Sequence, residues 1–321
     1  MSLKILDLFC GAGGFSSGFK NLSSTHLAID SDPIALETYR FNYPDSITLN
    51  QDISTLHSLE IEKELGKPDI VIASPPCEEF SLANPRSESP AAERIYGNGT
   101  ARLFLDAIRI ISDLQPSVFV IENVAAILKS GGREIIRMEL EDADLTPVHF
   151  NMVRAHKHGN PSKRLRVFIS NIKMKLPKAS TKTVIEAIGD LPPKGIDALF
   201  TRNEDVPNHE CPTLTDEKLM SVMKTSWRHG AKYFRVSKKR ALPNWVRLAP
   251  DQIASSIIGL ARYIHPYEHR LLTVREHARL MSYPDDFIFR GHLNSQYNQV
   301  GESVPPIISK LIAQEVLSTI E

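Results

Sequence analysis

The sequence predicts an α/β fold with a smaller domain inserted into it. Short apolar runs rich in β-branched residues alternate with segments of helical period over residues 1–173, as in sheets built from strand–helix units. A glycine-rich turn, Gly11-Ala-Gly-Gly14, follows the first apolar run, which is typical of nucleotide-binding units. Between Lys173 and about Leu260 the alternation gives way to prolines, short runs and basic residues. We therefore expect residues 1–173, completed by 300–321, to form one domain and residues 174–299 to form the other.

Composition places the chain among ordinary globular proteins. Hydrophobic residues make up 42% of its 321 residues and charged residues 24%, which suffices for a large domain and a smaller one. No apolar run approaches the roughly 18 residues that a membrane span needs, so we expect neither a membrane segment nor a signal peptide. The cysteines are far apart in the sequence, which predicts a reducing compartment without disulfides; they are Cys10, Cys77 and Cys211.

No set of metal ligands stands out in the sequence. His265 and His269 have the i, i+4 spacing of ligands on a helix, but Pro266 between them interrupts the helix that would align them. We therefore predict that the protein has no metal site.

Charge is unevenly distributed along the chain although its sum is zero. Basic and acidic residues number 38 each, but the stretch from Lys224 to Arg247 holds eight Lys/Arg and no Asp or Glu. Trp227 and Tyr233 interleave with this basic run. The pattern indicates contact with nucleic acid, and a solvated charged surface is the alternative. The candidate contacts are Arg228, Lys232, Arg235, Lys238, Lys239 and Arg240.

The glycine turn opens a predicted nucleotide-binding βαβ unit. The first strand runs from Leu3 to Phe9, and Phe15 to Phe19 is predicted to start a helix. Glycines let a ligand approach the backbone closely. The second strand, Leu27 to Ile29, ends at Asp30, about twenty residues after the glycines, where a carboxylate can accept the two hydroxyls of a ribose. Asp32 precedes a proline and is predicted to cap the next helix.

A single thiol follows the fourth predicted strand. Ile70 to Ala73 reads as a buried strand, and Pro75 and Pro76 cannot continue it. The chain must therefore leave the sheet in a stiff turn that presents Cys77 at the carboxyl end of the strand, where open α/β sheets place their chemistry. Cys77 is a candidate nucleophile; the alternative is a small buried hydrophobic residue.

Two further segments surround this turn. Asp52-Ile53 follows the third strand and could hold the edge of an adenine, although a turn aspartate fits nearly as well. Residues 82–100 show no periodicity, which indicates a loop, and a loop of this length beside a nucleophile suggests a mobile lid. Leu103 to Leu114 is predicted to be an amphipathic helix.

Polar side chains end the strands that are predicted to neighbour Cys77. Val118 to Ile121 reads as a buried strand that ends at Glu122; a solvated glutamate is the alternative. Arg164 and Arg166 alternate with apolar residues on a later strand, and arginines that point inward need an anion or a polar ligand. Ordinary charges on an edge strand are the alternative there.

Together these segments resemble the DNA (cytosine-5)-methyltransferases over nearly the whole chain except the inserted region. Asp7-Leu-Phe-Cys-Gly-Ala-Gly-Gly-Phe15 is similar to that family's S-adenosylmethionine loop, and Pro75-Pro-Cys77 to its nucleophile motif. The remaining motifs follow in the family's order: Glu122-Asn-Val124, Arg164-x-Arg166-Val-Phe-Ile, the block at residues 270–285 and Gly301-x-Ser-Val-Pro-Pro306. The sequence departs from the family's pattern at Ser74 (usually glycine), Ser162 (usually glutamine) and Glu302 (usually asparagine).

The resemblance implies a Rossmann-like methyltransferase fold with an inserted target-recognition domain and hinge. It implies a reaction in which Cys77 adds to carbon 6 of a cytosine, Glu122 bonds its N3 and amine, and Arg166, supported by Arg164, holds its carbonyl oxygen. The cytosine must leave the duplex for this chemistry. S-adenosylmethionine would be bound by Phe9, Gly11, Gly13, Gly14, Asp30, Asp52, Ile53, Pro76, Leu103, Ser303 and Val304.

The same resemblance implies double-stranded DNA as partner, with Ser81 among the DNA contacts. We expect a monomer in the prokaryotic cytoplasm, associated with the nucleoid and paired with a cognate restriction endonuclease. Three alternatives remain: a tRNA substrate, a DNA-binding regulator without activity, which Glu302 keeps open, and an NAD-linked dehydrogenase. The Pro-Pro-Cys and Glu-Asn-Val motifs argue against the last.

Overall fold

The computed structural model describes residues 3–80, 90–194, 206–237 and 240–320. The chain divides into two compact units. Unit 1 comprises Met1–Arg154, Leu165–Pro177 and Ile308–Glu321, and unit 2 comprises Ala155–Arg164 and Lys178–Ile307. No helix among the described residues is long and apolar enough to cross a membrane.

Unit 1 is built on one mixed sheet that has seven strands among the described residues. Its order is β3-β2-β1-β4-β5-β7-β6, and β7 runs antiparallel to both of its neighbours, β5 and β6. The central strands β1, β4 and β5 are almost wholly buried, as expected for a sheet covered on both faces. The strands are β1 (Leu3–Leu8), β2 (Ser23–Asp30), β3 (Ile47–Asn50), β4 (Ile70–Ala73), β5 (Val118–Val124), β6 (His149–Arg154) and β7 (Leu165–Ser170).

The first helix of unit 1 begins where its sequence provides a cap. Asp32 accepts a hydrogen bond from the N–H of Ile34 (2.9 Å) and is followed by Pro33 at the first helical position, so the predicted N-cap is confirmed. The helices are α1 (Pro33–Asn42), α2 (Ser58–Leu65), α3 (Ala91–Ile95), α4 (Leu103–Leu114) and α5 (Gly132–Asp142), with α10 (Pro306–Ile320) at the end of the chain.

The strand order reverses direction between β1 and β4. β1 pairs with β2 on one side and with β4 on the other, all in parallel. The loops that leave the carboxyl ends of β1 and β4 therefore diverge and open a crevice, which is where open α/β sheets bind ligands. The glycine loop follows β1 and the Cys77 turn follows β4, so both predicted motifs lie at this crevice.

The predicted helix start at Phe15 was wrong. Only a three-residue 3₁₀ turn, Ser16–Gly18, follows the glycine loop. Gly18 allows the close approach of α10, because a Cβ there would lie 2.2 Å from the carbonyl carbon of Ser309. Ser309 also accepts the N–H of Gly18 (3.0 Å). The far end of the chain thus occupies the space that a longer helix would need.

Part of the segment predicted as a structureless loop is helical. Residues 81–89 lie outside the described residues, but α3 follows at Ala91–Ile95. The side chain of Arg94 is buried and stacks on the ring of Phe80 at 4.6 Å. Ala91 also donates its N–H to the carbonyl of Ser130 (3.2 Å). Tertiary contacts of this kind order a segment that has no periodicity of its own.

Unit 2 combines short helices with a three-stranded sheet, counted over the described residues. β8 (Gly230–Ser237) and β9 (Arg240–Arg247) form an antiparallel pair, and β10 (Tyr263–Ile264) runs parallel to β9. Thr273 and Glu276 form the predicted capping box at the start of α8. The helices are α6 (Val184–Ile188), α7 (Asp216–Met223), α8 (Val274–Leu280) and α9 (Leu293–Glu302).

Candidate active site

Gly13 holds the glycine loop in a shape that only glycine permits. Its φ is +90°, and a Cβ at this position would lie 2.3 Å from a ring carbon of Tyr43. Tyr43 donates its hydroxyl to the carbonyl of Gly13 (2.7 Å), and Gly13 donates its N–H to the carbonyl of Cys10 (2.9 Å). Backbone conformation and tyrosine contact therefore both exclude a side chain here.

The opposite side of the loop is open. Gly11 also has a positive φ (+50°), and a Cβ there would meet nothing within 4 Å. Phe9 adopts φ +59°, an uncommon conformation for a phenylalanine, and packs in part against the core. Gly14 is buried and its carbonyl accepts the hydroxyl of Ser17 (2.7 Å). The loop thus leaves space above Gly11.

Asp30 contacts the glycine loop from the end of β2. Its Oδ2 accepts the N–H of Gly11 (2.7 Å) and its Oδ1 accepts the N–H of Asp32 (2.8 Å). Burial raises the pKa of Asp30, and the hydrogen bonds from these two N–H groups oppose the shift. The carboxylate predicted to bind a ribose is therefore held rigidly against the glycine loop.

Asp52 forms the turn that sequence reasoning allowed as the alternative. Its Oδ1 accepts both the N–H (2.9 Å) and the hydroxyl (2.8 Å) of Ser54. The side chain of Ile53 is buried in the core of unit 1. The turn nevertheless leads to a cleft, which is lined by Ser54, Asn98, Gly99, Thr100, Arg102, Leu103 and Asp106. Leu103 therefore lines the cleft together with Ser54, which follows Asp52 and Ile53 in the chain.

Cys77 begins a short 3₁₀ turn directly after the two prolines. Its carbonyl accepts the N–H of Phe80 (3.0 Å), and its side chain is partly exposed. Ser74 donates its N–H to the carbonyl of Leu8 (3.1 Å) and so continues the pairing of β4 with β1. Glu79 accepts hydrogen bonds from Thr100 and Ala101, both at 3.4 Å, so the Cys77 turn is tied to the wall of the cleft.

Glu122 and Arg166 form an ion pair beside this turn. Arg166 Nε lies 2.8 Å from Glu122 Oε1, and the side chains are 17% and 6% exposed. β5 and β7 are antiparallel, with Glu122 opposite Phe168 and Val124 opposite Arg166. The two side chains are therefore diagonal neighbours on one face of the sheet. Glu122 lies within β5 rather than after it, because β5 extends to Val124.

Asn123 belongs to the site, although its place in the Glu122-Asn-Val124 motif predicted no role for it. Its side chain is fully buried and donates Nδ2–H to the carbonyl of Pro75 (3.1 Å). This bond joins β5 to the proline turn, two residues before Cys77. Position next to Glu122 was the only signal for it in the sequence.

A buried hydroxyl network below the glycine loop was also missed. Ser16 donates its hydroxyl to Asp7 (2.5 Å) and lies 2.8 Å from the hydroxyl of Tyr39. Burial raises the pKa of Asp7 to about 8. Because the three residues are distant in sequence and individually ordinary, only the fold brings them together.

Arg164, Ser303 and Val304 belong to unit 2. Arg164 is buried and donates Nη1–H groups to the carbonyls of Gly301 (2.9 Å) and Ile257 (3.2 Å). Gly301 packs so closely that a Cβ there would lie 2.0 Å from the nitrogen of Gly259. Ser303 donates its hydroxyl to the carbonyl of Val300 (2.9 Å), and Val304 is buried. Two predicted motifs, the arginine motif and the final block, thus meet through Arg164.

The basic run of unit 2 divides into exposed and buried members. Arg228 and Lys232 are exposed, and Lys232 Nζ lies 4.4 Å from the centre of the Trp245 ring. Arg247 is buried and donates to the carbonyls of Val222 and His265 at 2.8 and 2.7 Å, so it serves the core. Arg235 lies in β8 and Arg240 in β9. Ser81, Lys238 and Lys239 lie outside the described residues.

Comparison with known proteins places the chain in a family. A family model described as C-5 cytosine-specific DNA methylase matches residues 3–318. M.MjaORF1200P of Methanocaldococcus jannaschii is 39% identical over 368 residues, which cover 98% of each chain. Type II methyltransferase M1.HphI of Haemophilus parahaemolyticus is 33% identical over 332 residues, covering 99% of this chain and 87% of that one.

The fold is shared with solved structures as well. A prophage-encoded chain from Escherichia coli aligns with a TM-score of 0.75 at 24% identity and covers 99% of both chains. The predicted fold class is therefore confirmed, and so is the family resemblance. By the match along residues 3–318, this chain belongs to the C-5 cytosine-specific DNA methylase family.

Proposed function

We propose that this DNA methylase transfers a methyl group from S-adenosylmethionine to carbon 5 of a cytosine flipped out of a specific duplex site. The Glu122–Arg166 ion pair beside the Cys77 turn carries the proposal. A thiol, a carboxyl group and a guanidinium gathered at the carboxyl end of a sheet match the three contacts that activation of a cytosine requires. The relative M1.HphI is a type II methyltransferase, which supports a role in restriction–modification with a cognate endonuclease.

The residues of unit 1 fit S-adenosylmethionine. The open space above Gly11 admits a ligand against the backbone, and the rigid carboxylate of Asp30 is suited to ribose hydroxyls. Phe9, Gly13 and Gly14 shape the loop, Pro76 precedes Cys77, and Leu103 lines the cleft that follows Asp52 and Ile53.

Cys77 starts the proposed reaction. Its thiolate adds to carbon 6 of the cytosine, while Glu122 passes a proton to N3, so the electrons of the C5–C6 double bond move to carbon 5. Arg166 orients Glu122 and holds the carbonyl oxygen of the base, and Arg164 supports the final block through Gly301. When bound, S-adenosylmethionine supplies the methyl group that carbon 5 takes, and its sulfur keeps the electron pair of the broken bond.

Elimination completes the proposed cycle. A base removes the proton from carbon 5. The electron pair of that C–H bond restores the C5–C6 double bond, and the C6–S electrons return to the Cys77 sulfur. The N3 proton returns to Glu122, so the net products are 5-methylcytosine, a neutral thioether and one proton. Carbon 6 cannot be reached within a stacked duplex, which is why the cytosine must be flipped out.

The test is methyl transfer from labelled S-adenosylmethionine to mixed-sequence duplex DNA, followed by bisulfite sequencing of the product. We expect 5-methylcytosine at one recurring site, because unit 2 carries an exposed basic and aromatic surface suited to selecting DNA. Bound cofactor without transfer to DNA would contradict the proposal. A parallel reaction with tRNA then separates an RNA substrate from a DNA-binding regulator without activity.

A further inference from the structure

Arg109 links the two sides of the cleft in unit 1. It lies on α4, and its guanidinium reaches the turn formed by residues 52–56. Nη2–H donates to the carbonyl of Ile53 and Nη1–H to the carbonyl of Leu56, both at 3.2 Å. Asp106, one helical turn earlier, lies 3.4 Å from Nη2. One side chain therefore contacts the 52–56 turn and a residue that lines the cleft.

Three N–H groups of the 52–56 turn are bonded within it, but the carbonyl of Leu56 accepts no bond from the turn itself. Ser54 and Thr55 donate their N–H groups to Asp52, and Leu56 donates to the carbonyl of Ile53 (3.3 Å). The side chains of Ile53 and Leu56 are buried beneath the turn, so their carbonyls face α4. A buried carbonyl needs a donor. Arg109 supplies one to the carbonyl of Leu56 and adds a second to the carbonyl of Ile53, which already accepts the N–H of Leu56.

The start of α4 forms the opposite wall of the cleft. Leu103 and Asp106 line it from the helix, and Ser54 lines it from the turn. The planar guanidinium presents its donors in a fixed fork, so bonding both carbonyls at once fixes the distance and the angle between the turn and the helix. A cleft whose walls are held in advance costs less ordering when a ligand binds.

We propose that Arg109 is a positioning residue that presets the separation of the 52–56 turn and α4, and thereby sets the affinity for S-adenosylmethionine. The inference rests on the proposed function, since it takes this cleft as part of the cofactor site. Arg109 acts through the turn and not through contact with the reacting atoms.

Titration calorimetry of S-adenosylmethionine compares the wild type with Arg109→Met, which keeps an unbranched side chain and removes the donors. We expect Kd to rise about tenfold, which corresponds to roughly 1.4 kcal/mol for two lost hydrogen bonds. KM for the cofactor should rise in parallel, while kcat at saturating cofactor stays within about twofold of the wild type. Arg109→Lys, which restores one charged donor, should lie between the two.

Hydrogen exchange gives a readout independent of activity. The N–H groups of Thr55 and Leu56 close the turn, and they should exchange faster in Arg109→Met than in the wild type without cofactor. Bound cofactor should restore most of the protection. The matched control is Arg137→Met, which removes a partly exposed arginine of α5 paired with Glu141 (3.7 Å), and it should change neither Kd nor exchange of the turn.

Each outcome decides the inference. An unchanged Kd in Arg109→Met, or a rise shared by Arg137→Met, overturns it. If Arg109→Met does not fold, Arg109→Lys decides, and a wild-type Kd with wild-type exchange overturns the inference. Wild type that binds S-adenosylmethionine but does not methylate DNA refutes the proposed function alone, and wild type that binds no cofactor refutes both.

Discussion

Cys77 differs from the other cysteines in its place on the sheet. Burial raises the pKa of Cys10 well above its usual range and that of Cys211 to about 11, so both stay protonated thiols near neutral pH. Cys77 is partly exposed and follows β4 at the crevice. Position, more than residue type, makes it the candidate nucleophile.

Replacing Cys77 with alanine should abolish methyl transfer and leave cofactor binding nearly unchanged. The thiolate is needed for the adduct at carbon 6 and for no other part of the proposed site. Transfer of labelled methyl to DNA and calorimetric cofactor binding measure the two effects. Cys211→Ala is the matched control and should be active. Turnover by Cys77→Ala would refute the assignment.

Glu122→Gln should slow methyl transfer by roughly two to four orders of magnitude, the usual contribution of a positioned acid or base. The amide is nearly isosteric and can still bond the base, but it cannot deliver a proton to N3. It also breaks the ion pair with Arg166. Single-turnover kinetics with saturating DNA measures the chemical step, and a near-normal rate rules out the proton-transfer role.

His277 should make unit 2 less stable in mild acid. Burial lowers its pKa to about 4, against 6.5 for an ordinary histidine, so the folded protein keeps it neutral. Between these values the unfolded chain binds a proton that the folded chain lacks, and the free energy of unfolding falls as the pH falls, by up to about 1.4 kcal/mol per pH unit.

Urea unfolding of His277→Gln at several pH values between 7 and 4 checks this. The variant should lose less stability than the wild type over that range, even if it starts lower because the bond from Nδ1 to the Thr273 carbonyl is lost. His229→Gln, at an exposed position, controls for the substitution itself. Parallel curves for His277→Gln and wild type contradict the prediction.

At the scale of elements, the glycine loop depends on its contact with Tyr43, the residue that ends α1. Gly13 and Gly131 have nearly the same φ, +90° and +88°, but only at Gly13 would a Cβ meet another side chain within 4 Å. Comparison of the two positions therefore separates backbone strain from the clash with Tyr43. The loop and α1 form one unit in which the tyrosine ring occupies the space that glycine leaves.

Gly13→Ala should reduce the free energy of unfolding by more than Gly131→Ala. Both substitutions carry the cost of a positive φ, of order 1–3 kcal/mol, and Gly13→Ala adds the overlap with Tyr43. Gly13→Ala should also weaken cofactor binding, because relief of the overlap moves the loop. Denaturant unfolding and calorimetry measure the two effects. Equal losses of stability would show that the clash relaxes without cost.

At the scale of the whole molecule, the candidate catalytic residues and the basic run lie in different units. Unit 1 holds Cys77, Glu122 and Arg166, and unit 2 holds the basic run. The chain is neutral in total, so the affinity for DNA must come from local charge. We propose that unit 1, which includes Ile308–Glu321, is the catalytic part and that unit 2 is the target-recognition part.

Neutralising Lys238, Lys239 and Arg240 together should weaken DNA binding and flatten its salt dependence. Each lost phosphate contact reduces the slope of log K against log salt by about 0.9, so three contacts reduce it by roughly 3. Fluorescence anisotropy of labelled duplex over a salt series measures the slope. Replacing Lys63, Lys67 and Lys310, which are exposed elsewhere, is the control. An unchanged slope would identify the run as a solvated surface.

The order of the motifs and most of the local structure could be predicted from near neighbours in the sequence. Periodicity and caps depend on near neighbours, so β4, α4 and the Thr273 capping box were predicted correctly. The same local signals predicted candidate site residues at the strand ends, because parallel strands present their carboxyl ends at one edge of a sheet. Glycine spacing likewise pointed to the open loop at Gly11.

Long-range packing determines which side chains contact each other. β7 pairs antiparallel with β5, and this long-range pairing places Arg166 against Glu122. Arg247 and Arg228 look alike in the basic run, but one is buried in the core and the other is exposed. The helix expected at Phe15 yields to the close approach of Ser309. Contacts between distant residues leave no local pattern in the sequence, so the fold alone could assign them.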